Sequence, residues 1–156
     1  MTTVKSGVYF IQNIGALSVL DLTGGSSSSG TVVQGYAKRD LTDPSAIAQL
    51  WVIAQIKGTT LYTIQNAQGG TFLDLKGGAS ANETPVVGNS QSGKSIQQWS
   101  ITPNAANTAY MIVNSSTKTV VDLLNGGAAN GTAVNGWGTD GPSTTNTHQL
   151  WVLVPA

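Results

Sequence analysis

Tyr110-Met111-Ile112-Val113-Asn114, then Asp122-Leu123, then Gln149-Leu150-Trp151, form a frame that this chain writes three times. The first copy has Tyr9, Ile11, Asn13, Asp21, Leu22 and Gln49-Leu50-Trp51; the second has Tyr62, Ile64, Asn66, Asp74, Leu75 and Gln97-Gln98-Trp99. In every copy Tyr and Asp stand 12 residues apart. Self-similarity with a period of about 50 residues constrains a fold before local propensity does, because each unit must bury its apolar face against its neighbours. The 156 residues read as one domain of three units, approximately 7-58, 59-106 and 107-156.

Within a unit, short apolar runs alternate with turn chemistry. The first unit predicts strands over Val8 to Gln12, Ser18 to Leu22, Thr31 to Tyr36 and Leu50 to Ala54, with Gly24-Gly25 and Asp43-Pro44 between them. Apolar residues alternate in Tyr9-Ile11, Tyr62-Ile64 and Trp151-Leu153, and the interspersed Gly, Ser, Asn and Thr interrupt any helix. The class is all-β. Three units are too few for a propeller, which closes with about 4 to 8 blades, so three units of four strands favour a threefold closed barrel. From each Asp to the position 15 residues on (Tyr36, Asn89, Trp137) no register is lost, whereas from there to the Gln of Gln-x-Trp the counts are 13, 8 and 12. Length varies in one place per unit, as a loop over a fixed strand framework does.

The three Gln-x-Trp signatures, each preceded by an Asp-Leu segment, resemble the ricin B-type β-trefoil lectins, and most of all the cysteine-free single-domain lectins of mushrooms. The resemblance covers essentially the whole chain and implies a β-trefoil that binds carbohydrate. Burial arguments place Trp51, Trp99 and Trp151 in the core with their glutamines bonded to backbone, Leu22, Leu75 and Leu123 pointing inward beside them, and Tyr9, Tyr62 and Tyr110 in the core as well.

Binding is expected at the aspartates. Asp21, Asp74 and Asp122 each end an apolar strand shortly before a glycine pair, where a carboxylate can lean over a loop into solvent; the alternative is a turn residue bonded to nearby backbone. Thirteen and 15 residues later stand Gln34 and Tyr36 in the first unit and Asn135 and Trp137 in the third, but Val87 and Asn89 in the middle one. A carboxylate, an amide and a ring suit a pyranose: the carboxylate accepts charge-assisted hydrogen bonds from vicinal hydroxyls, the amide donates and accepts, and the ring covers the apolar face. Carried over residue by residue, the resemblance implies a site for galactose or N-acetylgalactosamine at Asp122, Asn135, Trp137, His148 and Gln149. A second is implied at Asp21, Gln34, Tyr36 and Gln49, where Ala48 replaces the family's frequent Asn. The middle unit, with Asp74 and Gln97 only, is expected to be silent.

Other function classes find little support. Seven basic and seven acidic residues cancel, and no basic cluster exceeds Lys38-Arg39, so nucleic acid is a poor partner. No apolar stretch approaches the roughly 18 residues of a spanning helix, so the chain is not expected to be a transmembrane protein. Cysteine is absent, and Met1 to Phe10 lacks a basic region followed by an apolar run, so the expected location is cytoplasmic. The Asn-x-Ser/Thr matches at Asn82, Asn114 and Asn130 then read as chance. No enzyme is expected: a glycosidase needs two carboxyls about 5 to 9.5 Å apart, Glu83 is the sole glutamate, and no metal cluster or cofactor motif occurs. The competing reading is a β-trefoil protease inhibitor acting through an exposed loop, Lys38 to Ala46 or Gly138 to Thr147. The resemblance further implies a defence role and hemagglutination of galactose-bearing cells, with a homodimer as one route to valency.

Overall fold

The computed structural model of the protein describes residues 3–156, and within them twelve strands, all paired antiparallel. The first unit holds β1 (Gly7–Asn13), β2 (Val19–Leu22), β3 (Thr31–Tyr36) and β4 (Trp51–Gln55). The second holds β5 (Tyr62–Asn66), β6 (Phe72–Leu75), β7 (Thr84–Asn89) and β8 (Trp99–Pro103). The third holds β9 (Tyr110–Asn114), β10 (Val120–Leu123), β11 (Thr132–Trp137) and β12 (Trp151–Pro155). The strands predicted for the first unit lie within one residue of these bounds.

Six strands close a barrel, in the cyclic order β1, β4, β5, β8, β9, β12. The hairpins β2–β3, β6–β7 and β10–β11 cap it, and β3, β7 and β11 pair with one another around a triangle. This is the β-trefoil that the repeat pointed to. Equivalent residues meet equivalent partners: Asn13 is in register with Trp151, Asn66 with Trp51 and Asn114 with Trp99.

The core explains why the frame recurs. Trp51, Trp99 and Trp151 are fully buried, and each indole N–H donates to a strand carbonyl at 3.0 Å, those of Leu20, Leu73 and Val121. Each Trp removes roughly 200 Å² of surface from water, and the bonded N–H avoids the penalty of an unpaired buried donor. Leu22, Leu75 and Leu123 are buried as expected. Each rests on a glycine of the next unit: a Cβ at Gly35 would lie 2.7 Å from Leu123, one at Gly88 3.0 Å from Leu22, and one at Gly136 2.9 Å from Leu75. Close approach, not a special backbone angle, therefore demands glycine there. Tyr62 and Tyr110 are buried, whereas Tyr9 is only partly so and its hydroxyl donates to the carbonyl of Lys5.

Polar residues staple the units together. The buried Asn13, Asn66 and Asn114 each accept from two amides of the turn that follows and donate to a carbonyl just before a Gln-x-Trp, those of Thr147, Ala48 and Ile96. A second cyclic set links each cap hairpin to the next: Asn130 accepts from the amide of Ala37, Ser29 from that of Ser90, and Asn82 from that of Gly138. Asn82, Asn114 and Asn130 thus have structural duties that a modification motif does not suggest. Helical periodicity was absent from the sequence, yet six 3-10 turns of three to six residues connect strands within the described residues. Segments that short leave no periodic signal.

Candidate functional site

The three aspartates do not lean into solvent. Asp21, Asp74 and Asp122 are 1%, 5% and 4% exposed, because the strand that carries each one is buried along its whole length. What compensates the buried carboxylate is the Gln of Gln-x-Trp. Gln49, Gln97 and Gln149 each end a 3-10 turn, and each donates one amide group both to the carboxylate, at 3.1, 2.9 and 3.0 Å, and to the carbonyl of Ala37, Ser90 or Gly138, at 2.9 Å in every case. The signature is therefore a clamp that fixes a carboxylate and the end of the neighbouring strand at once. Gln49 and Gln149, expected at the mouth of a site, lie buried behind it.

From this shared base the units diverge. In the middle unit Asn89 takes the amide's part: it donates to Asp74 at 3.0 Å and accepts from the amide of Gly30 at 2.8 Å, while the other Asp74 oxygen accepts from the amide of Leu75. Its carboxylate thus accepts three hydrogen bonds from within the chain. In the first unit Gln34 donates to one oxygen of Asp21 at 3.0 Å, and Arg39 makes an ion pair with the other at 2.7 Å. The Arg39 guanidinium carbon also lies 4.3 Å from the centre of the Tyr36 ring. Carboxylate, amide and ring do converge here, but a side chain of the same chain covers them.

The third unit is open. Among the described residues Asp122 accepts one hydrogen bond, from Gln149. It lines a pocket of about 130 Å³ with Leu124, Asn125, Trp137, Asn146 and His148. Burial raises the carboxyl of Asp122 above its ordinary range, an effect partly offset by the Gln149 bond and by the nearby His148. The Trp137 ring is half-buried at the rim, and His148 is held against Gly126, where a Cβ would come within 2.7 Å of the imidazole. Asn146 caps the last 3-10 turn by accepting from the amide of His148. Of the expected residues, then, Asp122, Trp137 and His148 share the pocket and Gln149 supports it. Asn135 does not join them. It stands opposite Asp122 in strand register, as Gln34 stands opposite Asp21, but unlike Gln34 its shorter side chain makes no hydrogen bond to the carboxylate, and it lines a separate cavity of about 210 Å³ between β3, β7 and β11.

Leu124, Asn125 and Asn146 were missed from sequence. For Asn125 a signal existed: the left-handed turn position held by Gly24 and Gly77 in the other units is held here by Asn125, at φ 53. Asn tolerates that region better than other side chains but still less well than Gly. Two cavities of about 280 Å³ near Val4, at the far end of the barrel, contain none of the expected residues and have no carboxylate in their lining. Among the described residues no group of three or more His, Cys, Asp or Glu is placed to hold a metal ion.

The family described as ricin-type beta-trefoil lectin domain-like matches residues 47–137, more than half of the chain. The chain belongs to the ricin-type β-trefoil lectin family. Solved structures agree on the architecture of this family member. The Macrolepiota procera ricin B-like lectin, solved in complex with lactose, is 27% identical with a TM-score of 0.79, over 99% of this chain and 100% of that one. The Rhizoctonia solani agglutinin is 24% identical with a TM-score of 0.83, over 100% of this chain and 99% of its own. The Polyporus squamosus lectin, solved with the sialylated epitope Neu5Acα2-6Galβ1-4GlcNAc, is 31% identical with a TM-score of 0.75; 97% of this chain matches, spanning about half of that lectin's length. No curated protein matches the chain by sequence. What distinguishes this ricin-type chain internally is that one of its three equivalent buried carboxylates accepts a single hydrogen bond and lines a pocket beside an aromatic ring.

Proposed function

We propose that the protein is a non-enzymatic lectin that binds terminal galactose or N-acetylgalactosamine through its third unit. The observation that carries this reading is the pairing of Asp122, whose carboxylate retains accepting capacity, with the half-buried Trp137 ring in one small pocket. Vicinal hydroxyls donate to the carboxylate, the C–H face of a galactose-type ring lies on the indole, and His148, Asn125 and Asn146 supply polar contacts at the edge. Support for the sugar class also comes from the lactose bound by the Macrolepiota lectin. The chemistry needed is recognition alone, which Asp122 meets without a second carboxyl.

The first of the two loops behind the protease-inhibitor reading, Lys38 to Ala46, is committed to contacts within the chain. Residues 38–47 are tied down, with Arg39 folded onto Tyr36, Lys38 over the Phe10 ring, and Asp40 and Asp43 each bonding the amide two residues on. Titration with methyl β-galactoside, followed by tryptophan fluorescence, tests the lectin reading: Trp51, Trp99 and Trp151 are fully buried, so a change reports on Trp137. The expected result is a saturable change in the wild type and one displaced roughly tenfold or more to higher sugar concentration in Asp122→Asn. An unresponsive wild type, together with galactose-independent inhibition of a protease, would favour the competitor. With one open site per chain, agglutination of galactose-bearing cells requires self-association, since bridging needs at least two linked sites.

A further inference from the structure

The first and third units differ at one position that matters for access. Counting three residues on from the ring gives Arg39 after Tyr36, Ser92 after Asn89 and Asp140 after Trp137. The position is structurally equivalent in the first two, where the amides of Arg39 and Ser92 both donate to the clamp glutamine, at 2.8 and 2.9 Å. From there Arg39 reaches inward. Its Nη1 donates to Asp21 at 2.7 Å, and its guanidinium carbon sits over Tyr36, 4.3 Å from the ring centre. Those are the two surfaces a sugar needs: a carboxylate oxygen for its hydroxyls and an aromatic face for its C–H bonds.

We infer that Arg39 is an intramolecular occupant of the first unit's sugar site, closing that site to uncharged galactosides and making the chain univalent. The inference rests on reading the third unit as a galactoside site and extends it to the one residue that sets how many sites the chain offers. A neutral sugar must displace an ion pair whose carboxylate is 2% exposed and whose arginine is 23% exposed. It recovers only neutral donors for the charged donor it removes, so the exchange is unfavourable. The loop restrains Arg39 further: its Nη1 also reaches the carbonyl of Ser45 at 3.4 Å, and Asp43 anchors Ser45 through its amide and its hydroxyl.

The test is Arg39→Ser, which installs the side chain that the middle unit already carries as Ser92. Tyrosine and tryptophan ring signals are followed by NMR as methyl β-galactoside is added. In the wild type the sugar should move Trp137 and leave Tyr36 unmoved; in Arg39→Ser it should move both, raising the number of responsive sites per chain from one to two. A second variant, Arg39→Gln, keeps much of the side chain's bulk but loses its charge; it should likewise let Tyr36 respond and keeps the test decisive should Arg39→Ser fold poorly. A wild-type Tyr36 that responds overturns the inference. So does a Tyr36 that stays still in a folded Arg39 variant while Trp137 responds. If Tyr36 responds only in Arg39→Ser while Trp137 never does, the occlusion stands and the third-unit reading fails. Silence of both rings in both proteins overturns both.

Discussion

The first and third units share a buried Asp, a clamp Gln and an aromatic ring, yet one is sealed by its own arginine and the other lined as a pocket. The difference separates two roles that the repeat had merged. The Asp–Gln–Trp frame exists for the fold, which is why it persists in the middle unit where no ring accompanies it. On the proposed reading, binding is decided by what stands over the frame: Arg39 in the first unit, Asn89 in the second, and the pocket beside Trp137 in the third.

The largest effect should come from attacking the shared frame. Trp151→Ala leaves a cavity and strands the carbonyl of Val121, at a cost of about 3–5 kcal/mol. Trp51→Ala and Trp99→Ala should fall in the same range, each being fully buried with the same bond. Denaturant midpoints check this. One tryptophan tolerated within 1 kcal/mol would show that the three units are not energetically equivalent.

Next comes the carboxylate. Asp122→Asn preserves volume but loses charge-assisted bonds to sugar hydroxyls worth about 1.5–3 kcal/mol, so galactoside affinity should fall roughly tenfold or more. Asp21→Asn should leave affinity unchanged, because Arg39 already occupies that carboxylate, but should lower stability by breaking the ion pair. Sequence reasoning expected both outer aspartates to contribute to binding and the middle one to be silent. Burial adds a stability cost even in the middle unit: Asp74→Ala deprives the amides of Asn89 and Gln97 of an acceptor and should cost about 1–3 kcal/mol. Calorimetry and thermal melts on these three variants distinguish these outcomes.

The repeat made the architecture legible because each unit must bury the same tryptophan against the same strands, leaving a periodic trace of Tyr, Asp, Leu and Gln-x-Trp. It also located the third pocket to within a few residues. Three things were illegible. Arg39 reads as half of a small basic pair, and nothing local says that its side chain turns back 18 positions to Asp21. Asn135 sits at the right spacing, but the cavity it lines instead is enclosed by three hairpins from different units, which no local pattern displays. Leu124 and Asn146 enter the pocket from the turns that flank it, where loop shape and not residue type decides direction.

Acidification should separate the units more gently. The carboxyl of Asp122 is raised by burial, so its charged form is disfavoured in the folded protein. Its contribution to stability is fully present below the ordinary carboxylate value and is lost as pH rises through the raised value. Binding has the opposite sign, because hydroxyls donate to the ionised form: affinity should be full above the raised value and fall about twofold at it, then roughly tenfold per pH unit below. That fall should begin above the range of an unperturbed Asp. The profile should persist in His148→Gln, which removes the other titratable group of the pocket. A fall that vanishes with His148 would transfer the dependence to the imidazole.

The smallest effect sharpens the comparison at the rim. Asn125 holds a left-handed turn that Gly24 and Gly77 hold in the other units, and it presents its side chain to the pocket. A left-handed conformation costs a typical L-residue about 1–2 kcal/mol, and Asn less. Asn125→Gly relieves that strain, although the added freedom of the unfolded glycine chain offsets part of the gain, so stability should rise by no more than about 0.5 kcal/mol. If the amide contacts sugar, the same change should weaken galactoside binding by the worth of one neutral hydrogen bond, about 0.5–1.5 kcal/mol or two- to tenfold. The two readouts then move in opposite directions, as befits a position where strain is retained for a binding contact. Affinity unchanged in Asn125→Gly would reduce Asn125 to a turn residue and leave sugar contact to the other residues of the pocket, Asp122, Trp137, Asn146 and His148 among them.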